Sequence, residues 1–197
     1  MANFYGNNYN NAQYGTNYAD NMYGYGGNDS QYGYGGNDYL IGGDGNDYQS
    51  GGTGNDVMNG GNGVDTVYGG TGQDYLVGGY DYSTDYFRFY QGDSASTSAG
   101  ADRIADWNVS YDYIDMPIAG NAYNYAEAST SHTSIDWARH QVESNSWLRQ
   151  EDHVFLYNAS TDTGYLLSDL DGNYTFETGV VLAGAGSAWD MSHSDII

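Results

Sequence analysis

The chain contains no cysteine, one proline, no lysine and four arginines. Without cysteine there are no disulfides, no thiolate metal sites and no thiol nucleophile. Four basic residues stand against 26 acidic ones, which gives a formal charge of −22. That balance rules against nucleic acid as a partner, because phosphate affinity rests on clustered Lys and Arg. It also disfavours an anionic membrane surface. Membrane insertion is not expected: Val154-Phe155-Leu156-Tyr157, one of the longest apolar runs, falls far short of the roughly 20 residues a spanning helix needs. Met1-Ala2-Asn3-Phe4-Tyr5-Gly6 has neither a basic n-region nor an apolar h-region, so it does not read as a standard secretory signal. No HExxH or GxSxG motif occurs, and no two of His132, His140, His153 and His193 are four apart. His132 and His140 read as surface residues. The Gly-rich region leads into strands rather than a helix, so it is not a phosphate loop.

What the chain does have is aspartate, glycine and tyrosine: 30 of its 197 residues are Gly and 23 are Tyr. Asp20, Asp29, Asp38, Asp47, Asp56, Asp65 and Asp74 recur at a strict spacing of nine, each followed four residues later by Gly. Three consecutive units carry the fullest form. In them Gly42, Gly43 and Gly45 precede Asp47, Gly51, Gly52 and Gly54 precede Asp56, and Gly60, Gly61 and Gly63 precede Asp65. Gly69, Gly70 and Gly72 do the same before Asp74. This is the GGxGxDxUx nonapeptide that binds calcium in a parallel β-roll. Gly permits positive φ and lets carbonyls crowd inward around an ion. Asp supplies an anionic oxygen at the end of the turn. Three residues of short strand follow.

Two nonapeptides make one coil, so like positions stack every 18 residues. The inward positions, two after each Asp, sort on that period. One series is Phe4, Met22, Leu40, Met58 and Leu76; the other is Gln13, Gln31, Gln49 and Val67. The sorting predicts two facing sheets. The Gln series either forms a hydrogen-bonded amide ladder or marks N-terminal coils that stay incomplete until something packs on them. Position 11 is Asn and position 2 is Ala, so residues 1–18 read as a degenerate capping coil. Tyr25 and Tyr34 occupy second-Gly positions, which puts those two turns in question.

A calcium ion between stacked turns needs Asp at i and i+18. The pairs Asp20/Asp38, Asp38/Asp56, Asp56/Asp74, Asp29/Asp47 and Asp47/Asp65 predict about five ions. Such short strands cannot offset chain entropy unaided. Metal binding and folding are therefore expected to be one event.

Composition shifts near residue 80, and the expected organisation is a cap over 1–18, a calcium-binding roll over 19–82 and a β-rich region over 83–197. Strands are expected around 85–89, 101–107, 112–115, 153–157, 164–168 and 178–183, with a helix around Ile135–Gln141. The expected fold is all-β: a right-handed parallel β-roll continuing into a β-sandwich-like region. Asp169-Leu170-Asp171-Gly172-Asn173 resembles half of an EF-type loop, but its twelfth position is Val180, so a turn is the better reading.

The repeats together with Thr84–Phe89, Ala101–Trp107 and Tyr111–Met116 resemble RTX proteins, with a C-terminal region similar to that of serralysin-type secreted proteases. That resemblance implies folding on extracellular calcium, export by type I secretion machinery, and a C-terminal signal, here Ser194-Asp195-Ile196-Ile197. The zinc-protease motif of those relatives is missing, so no catalytic residue and no enzymatic activity are expected. Outward Tyr14, Tyr32 and Tyr68 on one sheet, and Tyr39 and Tyr75 on the other, form a candidate contact surface, although cross-strand pairing alone accounts for such rows equally well. Rows of outward Thr, which an ice-binding face wants, are lacking. The leading expectation is a non-enzymatic, secreted bacterial surface, matrix or filament subunit that self-associates. The alternatives are the calcium-dependent secretion and folding module of a larger hydrolase, or a carbohydrate-binding module for surface polysaccharide.

Overall fold

The computed structural model describes residues 1–95, 97–108, 110–116, 125–131, 133–145, 153–169, 176, 178–184 and 195–197. The chain winds as a parallel β-roll, one strand per half-coil. The strands are β1 (Asn3–Asn7), β2 (Ala12–Tyr14), β3 (Asn21–Gly26), β4 (Ser30–Gly35), β5 (Tyr39–Asp44), β6 (Tyr48–Thr53), β7 (Val57–Asn62), β8 (Thr66–Thr71) and β9 (Tyr75–Val77). Beyond them come β10 (Tyr86–Arg88), β11 (Asp102–Ile104), β12 (Tyr113–Asp115), β13 (Tyr125–Ser129), α1 (Ile135–Ser144), β14 (His153–Asn158), β15 (Thr163–Ser168) and β16 (Thr178–Ala183). One sheet runs β2-β4-β6-β8-β10-β12. The other runs β1-β3-β5-β7-β9-β11-β16-β15-β14-β13. No described helix is long and apolar enough to cross a membrane.

Both sheets pass through residue 82 without a break. Strands β10 and β12 extend the smaller sheet in parallel. Strand β11 joins β9 on one side and β16 on the other. The C-terminal strands are thus further members of the larger sheet. Helix α1 packs across its outer face through Ile135, Ala138 and Val142, against Val154, Leu156, Tyr165 and Leu167. Strand β14 is buried at every position, which explains its unbroken apolar run. Ile196 is buried and bridges to Ile114, pinned by Met116 N–H to Ile197 O at 2.9 Å and Ile197 N–H to Ile114 O at 2.8 Å.

Strands β3 to β8 are six residues long, not the three expected. The turn residues of neighbouring coils stay in ladder register, as Tyr25 does with Gly43 and Gly43 with Gly61. Tyr25 and Tyr34 adopt φ of 74° and 71°, the left-handed bend that Gly43 and Gly52 make at 116° and 108°. Their exposed side chains let the strained backbone persist, at a cost of roughly 1–3 kcal/mol each. Residues 170–175 of the EF-like segment, together with His132 and Ser194, lie outside the described residues.

Between the sheets, Met22, Leu40, Met58, Leu76 and Ile104 form one fully buried column. Opposite them the Gln residues make the ladder. Gln31 Nε2 donates to Gln13 Oε1 and Gln49 Nε2 to Gln31 Oε1, each at 2.8 Å. The same Nε2 atoms cross the roll to main-chain oxygens, Gln31 to Ile41 at 3.0 Å and Gln49 to Asn59 at 3.1 Å. One amide therefore ties coil to coil and sheet to sheet. The ladder ends at Val67, and Gln49 Oε1 is left without a partner. Gln31→Ala deletes three such bonds, each worth about 1 kcal/mol net, so urea unfolding in saturating calcium should show a loss of about 3 kcal/mol. A change below about 0.5 kcal/mol would mean the ladder is only decorative.

Candidate metal centre

The aspartates stack into two columns, one along each edge of the roll. In the first, the main-chain N–H of each Asp donates to Oδ1 of the next: Asp20 to Asp38 at 2.8 Å, Asp38 to Asp56 at 2.7 Å and Asp56 to Asp74 at 2.8 Å. In the second, Asp29 donates to Asp47 and Asp47 to Asp65, both at 2.7 Å. All seven repeat aspartates are buried. Each spends one carboxylate oxygen on the ladder. The other oxygen, Oδ2, has no hydrogen-bond partner in Asp29, Asp38, Asp47, Asp56, Asp65 and Asp74. A buried, unpartnered carboxylate oxygen is costly.

Glycine builds the space around it. A Cβ at Gly42 would overlap Asp47 Oδ2 and the Gly60 carbonyl oxygen, and one at Gly51 would overlap Asp56 Oδ2 and meet the Gly69 carbonyl oxygen. Gly60 and Gly69 sit in the same way against Asp65 and Asp74. The second glycines Gly61 and Gly70, at φ of 118° and 95°, lie so close to the carbonyls of Gly43 and Gly52 that no side chain fits. Gly45, Gly54, Gly63 and Gly72 likewise crowd the carbonyl oxygens of Gly27, Gly36, Gly45 and Gly54. The result is a cradle of carboxylate and carbonyl oxygens with no donor inside. That is a hard-oxygen set of the kind calcium takes, and not one for a soft metal. No three His, Cys, Asp or Glu side chains converge on one point among the described residues. The carboxylates alternate with main-chain carbonyls instead.

Asp20 differs from the other six. Its Oδ2 is already held by the N–H and hydroxyl of Thr16, both at 2.7 Å. Burial tends to raise its pKa, but the bonds from Ala2 and Thr16 outweigh that and hold it low. Asn11 stands in for aspartate one half-coil earlier and accepts from Asn7 N–H at 2.7 Å. The first coil therefore closes on neutral donors.

Both columns run past the repeats. Asp74 N–H donates to Asp102 Oδ1 at 2.8 Å, Asp65 N–H to Asp85 at 2.9 Å and Asp85 N–H to Asp112 at 3.2 Å. Gly78 meets Asp85 Oδ2 just as Gly69 meets Asp74 Oδ2. The nine-residue count misses Asp85, Asp102 and Asp112 because turn insertions change the spacing. The sequence does carry a signal for them: each sits two residues before a buried apolar residue, Phe87, Ile104 or Ile114, as every repeat Asp sits before its inward position.

The tyrosine rows are shorter than expected. Tyr14 stacks on Tyr32 with ring centroids 5.4 Å apart, but Ser50 separates Tyr32 from Tyr68. Val57 separates Tyr39 from Tyr75. Two further stacks, Tyr5 on Tyr23 at 5.5 Å and Tyr86 on Tyr113 at 5.6 Å, involve tyrosines outside the expected rows.

Residues 14–49 and 50–79 each match the family described as the RTX calcium-binding nonapeptide repeat (4 copies). The roll is made of RTX calcium-binding repeats. No curated protein matches the chain. Among solved structures, the AlgE6R3 subunit of the Azotobacter vinelandii mannuronan C5-epimerase is 23% identical. That match covers 97% of this chain and 80% of the other, with a TM-score of 0.43. The AlgE6R2 subunit of the same organism's enzyme is 22% identical over 98% of this chain and 91% of its own, with a TM-score of 0.37.

Burial pushes Asp47 and Asp74 up to about 6, Asp56 to about 7 and Asp65 to about 8, with neighbouring carboxylates adding to the shift. Without a cation, these groups favour the fold only while protonated. Their contribution is complete below about pH 4, the ordinary Asp value. It is lost as pH rises through about 6 to 8. Circular dichroism of chelated protein should show more sheet at pH 4.5 than at pH 8, and calcium should reverse that order by stabilising the ionised form. A chelated sample more ordered at pH 8 would contradict this reading of the buried carboxylates. Asp47→Ala opens the middle of a column and Asp20→Ala only its capped end. Calcium titration should give the larger rise in midpoint for Asp47→Ala, and equal midpoints would contradict ligand sharing between coils.

Proposed function

We propose that the protein is a non-enzymatic subunit that folds on extracellular calcium and assembles side by side through the outer face of its smaller sheet, as part of a bacterial surface layer, matrix or filament. About five ions, one between each pair of stacked turns, supply the charge compensation. The observation that carries the reading is the make-up of that face. It presents Tyr14, Tyr32, Tyr48, Tyr68, Tyr86 and Tyr113 interleaved with Ser30, Ser50 and Thr66 in parallel register. Its outward charges, Arg88 and Asp115, neutralise each other at 2.6 Å. In a chain of charge −22, a broad aromatic face free of net charge is where two copies approach without repulsion. Low calcium inside a cell keeps such a chain unfolded and suited to type I export, and calcium outside closes the coils.

A half-open cavity of about 380 Å³ beside α1 favours a second reading. Gln73, Arg103, Thr133, Ser134, Thr163 and Tyr165 line it, a set of hydroxyl, amide and guanidinium groups that suits a surface polysaccharide.

Light scattering during a calcium titration tests the first reading. Calcium should first compact the chain and then produce concentration-dependent association. The Tyr14→Ser/Tyr32→Ser double variant should keep the compaction and lose most of the association. Monomers at every concentration would overturn it, and binding of a polysaccharide by those monomers would favour the second.

A further inference from the structure

Beyond Asp74 the first column leaves the nonapeptide pattern. The chain passes from β10 through a wide turn and returns as β11, whose first residue is Asp102. Residues 97–101 of that turn read Thr-Ser-Ala-Gly-Ala, so the double glycine of the repeats is gone. Asp102 is 0% exposed and Asp74 1%, and Oδ2 of each lacks any hydrogen-bond partner. A third carboxylate, Asp93, enters from the wide turn at 7% exposure. It lies near enough that its charge acts on both Asp74 and Asp102. Asp93 accepts from Tyr90 N–H at 2.6 Å and from the Tyr68 hydroxyl at 3.4 Å. Arg103, the next residue along, is exposed on the outer face of the sheet and does not enter the cluster.

Three sealed carboxylates with two orphaned oxygens and no cationic side chain among them do not stay ionised unless a cation joins them. We propose that Asp74, Asp93 and Asp102 form a calcium site outside the repeats, in which a third carboxylate replaces the carbonyls that the missing glycines no longer supply. The donors are all hard oxygens, and the higher ligand charge favours a doubly charged ion. The site lies on a seam. Strand β11 is the link between β9 and β16 in the larger sheet. Ser94 fastens the same point, accepting from Asp102 N–H at 2.7 Å and donating to Gly179 O at 2.6 Å. An ion here fixes the register between the repeats and the C-terminal strands.

The inference rests on the repeats binding calcium, so the experiment separates the two. Calcium bound per full-length chain is measured by equilibrium dialysis for the native protein, Asp102→Asn, Asp93→Asn, the repeat variant Asp56→Asn and the exposed-surface control Asp44→Asn. The Asp102→Asn side chain keeps an oxygen to accept from Asp74 N–H, so the ladder survives. Asp102→Asn should bind one ion fewer with sheet content retained, while Asp44→Asn binds the native number. Asp93→Asn should fold and show at least a tenfold weaker affinity for one ion. If Asp102→Asn fails to fold, the Asp93→Asn titration decides, and an unchanged titration overturns the site. A native ion count in Asp102→Asn beside a reduced one in Asp56→Asn also overturns it and leaves the repeat sites standing. A native count in both overturns the repeat sites and this one together.

Discussion

Each buried aspartate divides its carboxylate in two. One oxygen receives the main-chain N–H of the aspartate one coil earlier, and the other faces carbonyl oxygens with no donor in reach. The first half sets the register between coils. The second half leaves a charge that the polypeptide does not compensate. The net charge is −22, and of the four arginines two are occupied by Asp115 and Glu143, so no described side chain supplies a counter-ion for these columns. A doubly charged ion resolves the conflict, and its binding free energy is then folding free energy. Glycine at the crowded positions, the lack of disulfides and the paucity of helix all follow from building a core around ions rather than around bulk hydrophobic packing.

Packing takes over gradually along the chain. At the N-terminal end the inner face of the smaller sheet is Gln13, Gln31 and Gln49, held by amide bonds. At Val67, Phe87 and Ile114 it becomes apolar. The C-terminal strands add a second cluster beneath α1. The early coils thus depend on ions and amides, and the late coils on burial. This gradient places the weakest intrinsic stability at the first coils, where Thr16 and Asn11 already substitute neutral hydrogen bonds for ion sites.

Much of this is legible from spacing alone. The nine-residue recurrence of Asp and the 18-residue sorting of Met and Leu against Gln specify the roll, its two sheets and both carboxylate columns as far as Asp74. The amide ladder is one of two readings of the sequence, and only the distances between Gln13, Gln31 and Gln49 decide for it. What the spacing does not reveal lies where insertions change the count. Asp85, Asp102 and Asp112 continue the columns at separations of 20, 28 and 27 residues, because the connecting turns grow while the Asp–x–apolar unit is kept. The tyrosine rows fall short of the spacing's promise for a related reason. Positions 18 apart share a face, but Ser50 and Val57 interrupt the stacks.

The central claim is that a divalent cation substitutes for the missing internal counter-charge. Small-angle scattering combined with far-ultraviolet circular dichroism at pH 8, before and after chelation, tests it most directly. The account predicts that chelation expands the chain and abolishes most of its sheet signal, and that calcium restores both. A chelated chain that keeps its compact radius and full sheet signal at pH 8 would contradict it.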